Sequence, residues 1–188
     1  MSKTKHSQKD SAQEVCISGG LLKVNDIGVL ITGDSGIGKS ESALELISRG
    51  HQFISDDVTM ISKEKNGQVI GSPPDISRHF MEIRGLGIIN IKEIFKEKAI
   101  CEQTDVHLVI ELKKWEKGKE YDRLGLESDE SQDILDNKIP KISIPVAPGR
   151  NIATLIEVAC IVHTLKQKGY HAPQDITQKL DQALSFRK

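Results

Sequence analysis

Short apolar runs separated by turn residues fill the first two-thirds of the chain, and apolar residues at helical spacing fill the last third. From Val15, VCISGGLLKVN and IGVLITG read as two strands joined near Asn25-Asp26. ESALELISRG places Ala43, Leu46 and Ile47 at helical spacing and stops at Gly50. QFIS and VTMIS read as extended, with Lys65-Asn66-Gly67 turning the chain into QVIG. HLVIEL and KISIPV are further strands. Between them, KKWEKGKEYDRLGLESDESQD is charged and has no apolar face, which predicts a mobile loop. NIATLIEVACIVHTLKQKG sets Ile152, Leu155, Ile156, Ala159 and Val162 on one helical face and ends at Gly169, and APQDITQKLDQALSF closes the chain as an amphipathic helix. Residues 1–14 are polar and unpatterned, an expected flexible arm, which leaves 15–188 as one α/β domain.

Composition narrows the partners. A length of 188 residues suits one core. With 26 basic against 27 acidic residues the net charge is -1, so a nucleic-acid partner is not expected. Cys16, Cys101 and Cys160 are widely spaced, which argues for a reducing compartment and against a zinc site or disulfide framework. No apolar run reaches the ~18 residues of a membrane span, and the polar start carries no signal-peptide core. These features predict a cytoplasmic protein without a membrane partner.

Candidate chemistry centres on GDSGIGKS, comprising Gly33, Asp34, Ser35, Gly36, Ile37, Gly38, Lys39 and Ser40, behind IGVLIT. Converging backbone N–H groups and a helix N-terminus hold a phosphate chain, and glycines let the backbone wrap closely. Lys39 would neutralise the terminal phosphates of ATP and the Ser40 hydroxyl would bind Mg²⁺. A carboxylate at the strand end, Asp56 or Asp57 of FISDDV, could hold metal or take a proton from an attacking hydroxyl; as neighbours they would face different ways. If Met81 to Arg84 is extended, Glu82 and Arg84 share one face, where Glu82 could reach metal and Arg84 phosphate. The plainer alternatives are a solvated turn and a salt-bridged surface strand. Arg123 lies in the charged stretch, and Arg150, after Pro148-Gly149, opens a helix that could either bind an anion or simply start there.

Together GDSGIGKSESALELISRGH, SDD, MEIRGLGIIN, DRLG and IPVAPGRN resemble the bacterial HPr kinase/phosphorylases from about Val15 onward, EIRGLGII being the most diagnostic element. The resemblance implies a P-loop nucleotide-binding domain of the phosphoenolpyruvate carboxykinase-like fold, with a mixed sheet and C-terminal helices. It also implies ATP- and Mg²⁺-dependent phosphorylation of a serine on HPr, the phosphocarrier of the sugar phosphotransferase system, and the reverse step that releases pyrophosphate. Carried over, Asp56 is the general base, Glu82 a metal ligand beside Ser40 and Asp57, and Arg123 a catalytic arginine. Arg84 and the stretch Pro145, Pro148, Gly149 and Arg150 belong to the phosphate and reverse-reaction loops. A homo-oligomer, up to a hexamer, is implied, and Asp175 to Phe186 resembles a docking helix that could equally pack into its own core.

Three departures stand out. The family's N-terminal domain is not represented, Ser18-Gly19 stands where His-Gly is usual, and Ala147 stands where a basic residue is frequent. The last two remove positive charge, on which free phosphate depends more than ATP does, so weakened phosphorolysis is expected. A metabolite kinase and a nucleotide-gated binding protein without turnover remain alternatives.

Overall fold

The computed structural model describes residues 13–118 and 130–185. Its central layer is a six-stranded mixed sheet. β1 (Glu14–Ser18) and β2 (Gly20–Val24) flank Gly19 and belong to different sheets, so VCISGGLLKV is two strands and not one. The physical reason lies at Gly19, where a β-carbon would stand 2.7 Å from the Ile31 carbonyl oxygen. Only glycine lets the chain pass that close as it changes sheets. Asn25 and Asp26, with φ of 48° and 66°, make the tight turn from β2 into β3 (Ile27–Gly33). α1 (Lys39–Ser48) returns the chain to β4 (Gln52–Ser55), which pairs with β2.

β5 (Val58–Lys63) and β6 (Val69–Ser72) form the hairpin expected around Lys65-Asn66-Gly67. β7 (Phe80–Ile83) and β8 (Gly87–Asn90) make a separate two-stranded ribbon, followed by the short α2 (Ile91–Phe95) and β9 (Thr104–Asp105). β10 (Leu108–Lys114) runs parallel to β3. The end of the charged stretch is not loop: β11 (Ser131–Ile134) forms a hairpin with the ten-residue β12 (Asn137–Val146) through Leu135-Asp136, at φ of 48° and 60°. Ile134 and Ile139 are its two buried apolar anchors, too few to register as a pattern. α3 (Ile152–Gln167) and α4 (Ala172–Ser185) end the chain.

The large sheet runs β11-β12-β10-β3-β2-β4, and β1-β5-β6-β9 forms a second, antiparallel sheet. Side-chain alternation divides the core accordingly. Leu22, Val29, Ile31 and Ile110 face α1 and α3, with Leu46 and Ile156. Leu21, Leu30 and Val109 point the other way, meeting Ile61 and Val69 of the second sheet. The result is helices, mixed sheet and antiparallel sheet in three layers. α3 buries Ala153, Ile156 and Cys160, whereas Val162, expected on its inner face, is 40% exposed. α4 buries none of its residues, so packing into the domain's own core does not occur.

Candidate active site

The parallel strand β3 delivers Gly33 to the start of the glycine-rich turn, and α1 begins at Lys39, giving the strand–turn–helix context that a phosphate cradle needs. Gly33 itself is demanded by packing. A β-carbon there would lie 2.5 Å from the Leu112 carbonyl oxygen of β10. Gly36 and Gly38, at φ of 77° and 104°, provide the left-handed turn. The Lys39 ammonium donates to the carbonyls of Gly33 (3.0 Å) and Asp34 (3.1 Å), which holds its charge over the turn. The Ile37 side chain packs against the helix-side core, while Asp34 contributes its carbonyl.

A pocket of about 170 Å³ opens over this turn. Ser35, Gly36, Gly38, Lys39, Ser40 and Glu41 form its floor, and Asp57, Glu82 and Arg84 close it from the other side. The last two arrive on the β7–β8 ribbon. Met81 and Ile83 are buried in its core-facing side, so Glu82 is thrown outward as the alternation requires. The Arg84 guanidinium leans over Gly36, 3.2 Å from where a β-carbon would sit.

The two aspartates separate sharply. Asp56 is half-buried: Oδ1 accepts from the Ser40 hydroxyl at 3.0 Å and Oδ2 from the Glu82 backbone N–H at 3.1 Å. It does not line the pocket. Burial pushes its carboxyl above the ordinary range; the Glu82 N–H opposes that, and the Asp57 charge adds to it. Asp57 is exposed, at φ 55°, and faces the cradle. Its backbone is clamped, since Gly19 N–H donates to the Asp57 carbonyl at 2.7 Å. Beneath it, Ser55 and Thr59 share a 2.7 Å hydrogen bond, and Thr59 donates to the Gly19 carbonyl. These buried hydroxyls escaped the sequence reading. The only signal was Ser55 and Thr59 bracketing the acidic pair in SDDVT.

Other candidates fall elsewhere. Ser18 is exposed at the end of β1, paired with Val58, and does not line the pocket. Pro145 pairs with Lys113 inside the sheet, and Pro148-Gly149 turn the chain. Arg150 folds back to donate to the Pro145 carbonyl at 2.6 Å, so this stretch is not part of the pocket lining. Arg123 lies outside the described residues.

Behind the cradle, α1 is tied to α3. Asn151 caps α3 by accepting from Thr154 N–H at 2.7 Å and donates to Glu45 at 2.8 Å. Arg49 bridges Glu45 and Glu157, and His51 meets Glu157 at 2.8 Å.

Among the described residues no cluster of three or more His, Cys, Asp or Glu side chains could hold a metal by itself. The donor set nonetheless suits Mg²⁺, which takes hard oxygens, typically one or two carboxylates together with substrate phosphates. Ser40, Asp57 and Glu82 supply such oxygens around one pocket. Ser40 gives its proton to Asp56, which leaves the lone pairs of Oγ for a cation. Also among the described residues, no helix is long and apolar enough to cross a membrane.

Comparison with known proteins agrees with this architecture. A family model described as HPr Serine kinase C-terminal domain matches residues 9–180. The HPr kinase/phosphorylase of Thermoanaerobacter sp. (strain X514) is 49% identical over 169 residues, 90% of this chain and 55% of the relative. That of Bacillus subtilis (strain 168) is 46% identical over 90% of this chain and 54% of the relative. The chain thus spans about half the length of these curated relatives. The solved structure of the HPr(Ser) kinase/phosphatase from Coxiella burnetii superposes with a TM-score of 0.76 at 40% identity, covering 86% of this chain and 98% of that one. The chain belongs to the HPr serine kinase C-terminal domain family.

Proposed function

We propose that the protein is an ATP- and Mg²⁺-dependent protein-serine kinase acting on HPr, with a weakened reverse phosphorolysis. The observation that carries this is the single pocket in which Lys39, Ser40, Asp57, Glu82 and Arg84 converge on a glycine-rich turn. Phosphoryl transfer needs positioning and charge stabilisation above all, and these groups supply both. The turn's N–H groups and Lys39 hold the phosphate chain. Ser40 and Glu82 would hold Mg²⁺, which when bound offsets charge on the phosphate oxygens. Arg84 adds a cation on the opposite side.

For the proton, geometry favours exchanging the roles assigned by resemblance. Both oxygens of Asp56 are engaged, and it orients Ser40 and the β7 backbone. Asp57 faces the pocket and is the group placed to accept the hydrogen of an incoming hydroxyl.

The acceptor is argued from the rim. Leu86 and Ile88, 72% and 75% exposed, crown the ribbon that carries Glu82 and Arg84. Exposed apolar residues beside a polar, open site suit a protein surface better than a small metabolite, which a pocket would enclose. The names of the relatives support HPr in particular. Exposed Ile176, Leu180 and Leu184 of α4 offer a second surface for HPr or for neighbouring subunits of a homo-oligomer, up to a hexamer. The protein would work in the cytoplasm, where its three free cysteines persist as thiols.

Mixing the chain with ATP, Mg²⁺ and HPr tests this reading. Phosphoserine on HPr, absent when the HPr serine is replaced by alanine, is the expected result. Phosphorylation of a small metabolite in place of HPr, or ATP binding without any transfer, would favour the rival readings.

A further inference from the structure

The corner between β4 and β5 is where the chain leaves the large sheet for the second one. Ser55 still pairs with Leu21 of β2, and Val58 already pairs with Ser18 of β1. Asp56 and Asp57 are the two residues between. The Val58 N–H donates to the Asp56 carbonyl at 2.6 Å, which closes a three-residue turn with Asp57 at its centre and φ of 55°. Turns of that hand are rare and strained, and such a conformation persists only where its surroundings impose it.

What imposes it here is buried and polar. Gly19, where the chain makes its other crossing between the sheets, lies outside the registers of β1 and β2. Its N–H donates to the Asp57 carbonyl at 2.7 Å, and its own carbonyl accepts from the Thr59 hydroxyl at 2.8 Å. A hydroxyl has one proton, and Thr59 gives its proton to Gly19. The 2.7 Å contact between Ser55 and Thr59 is therefore donated by Ser55. A directed chain thus runs from Ser55 through Thr59 and Gly19 to the backbone of Asp57, joining both arms of the corner. Ser55 and Thr59 are 1% and 0% exposed, and apart from Ser42 they are the only buried polar side chains among the described residues. An apolar pair would fill the same space at little cost to folding, but only a hydroxyl at position 59 can hold the Gly19 carbonyl.

We propose that Thr59 is a positioning residue for phosphoryl transfer: through Gly19 it holds the strained turn that aims the Asp57 carboxylate at the cradle. This rests on the reading of Asp57 as the group that accepts the proton of the incoming hydroxyl. Without the Thr59 hydroxyl the turn relaxes and Asp57 shifts, while Lys39 and Ser40 stay in place on α1. Transfer, and not nucleotide binding, then carries the loss.

The test compares Thr59→Val, which keeps the outline and loses the hydroxyl, with Thr59→Ser, which keeps the hydroxyl and loses a methyl. Single-turnover transfer to HPr should fall about ten- to a hundredfold in Thr59→Val, with ATP affinity within about threefold of the wild type. Thr59→Ser should transfer within about threefold of the wild type. In an Asp57→Asn background, Thr59→Val should slow transfer by less than about twofold, since both act through one carboxylate. Hydrogen exchange of the Gly19 amide gives a readout that needs no transfer. It should quicken about tenfold or more in Thr59→Val, beyond what the change in denaturant midpoint accounts for, and not in Thr59→Ser. Should Thr59→Val fail to fold, Ser55→Ala, which removes the donor to Thr59, should slow transfer about threefold or more. Transfer by Thr59→Val near the wild-type rate, equal losses in Thr59→Val and Thr59→Ser, or unchanged Gly19 exchange would overturn the proposal. With Asp57→Asn slow, any of these results leaves the reading of Asp57 standing. A wild type that transfers nothing, or Asp57→Asn at the normal rate, would overturn that reading and the proposal with it.

Discussion

At the scale of single residues, Asp56 carries a cost that should be visible in pH titrations. Burial raises its carboxyl pKa in the folded protein above the unfolded value of about 3.9. Between those two values the native state binds more protons than the unfolded one. Its contribution is therefore fully present below about pH 3.9 and is lost as pH rises through the folded pKa. Asp56→Asn should remove that loss, so its stability, followed as the denaturant midpoint, should fall less than the wild type's across the window. Parallel profiles would show that Asp56 is not the group responsible. Ser18 and Ala147 present a different prediction. Ser18 ends β1 opposite Val58, next in sequence to Asp57, and an imidazolium there would add charge that serine cannot. Wild-type protein given phospho-HPr and inorganic phosphate should release pyrophosphate slowly, and Ser18→His with Ala147→Arg should speed it. Brisk release by the wild type contradicts the charge argument. Residue types and spacing made Lys39, Ser40, Glu82 and Arg84 legible in the sequence, because a glycine-rich turn and a period-two strand leave their side chains little choice. That Asp56 and Asp57 face different ways was legible from their adjacency, but which of them lines the pocket was not. It depends on a left-handed residue at position 57 and on the arrival of the Glu82 backbone from 26 residues away.

At the scale of elements, the cradle is anchored by its neighbours. The β3–β10 pairing brings the Leu112 carbonyl to within 2.5 Å of any β-carbon on Gly33. Gly33→Ala should then lower stability by about 1–3 kcal/mol, the usual range for overpacking, and weaken nucleotide binding as the turn shifts. A variant as stable as the wild type, measured by chemical denaturation, would show that the strands can spread. The α1–α3 tie has an acid-side signature. Burial pushes the Glu157 carboxyl up, but hydrogen bonds from His51 and Arg49 outweigh it and leave the pKa low. That contribution is present above the unfolded value of about 4.3 and lost as pH falls through the folded pKa. Glu157→Gln should therefore cost stability at pH 7 and nothing once Glu157 is protonated in both states, a slope opposite in sign to that of Asp56. Continuous apolar runs made β3 and β10 readable from the chain, and the helical spacing of Ala43, Leu46 and Ile47 the core face of α1. The β11–β12 hairpin was hidden, since its turn uses Leu135-Asp136 without a glycine or asparagine and its short strand has one buried side chain.

At the scale of the whole molecule, three layers hold the glycine-rich turn at one end of the parallel strands and leave a polar, open site rimmed by apolar residues. The sequence pattern conveyed the α/β class and the helices that end the chain. It could not convey that α4 stands away from the core, because an amphipathic stripe reads the same whether it covers its own domain or another surface. Single-turnover transfer of labelled γ-phosphate from saturating ATP to HPr by Asp57→Asn and Asp56→Asn tests the assembled pocket most directly. Asp57→Asn should slow transfer about 10²- to 10⁴-fold while ATP affinity stays within a few-fold of the wild type, whereas Asp56→Asn should weaken Mg²⁺-dependent binding and slow transfer less. Near-normal transfer by Asp57→Asn, with the full loss in Asp56→Asn at equal ATP occupancy, would contradict the account.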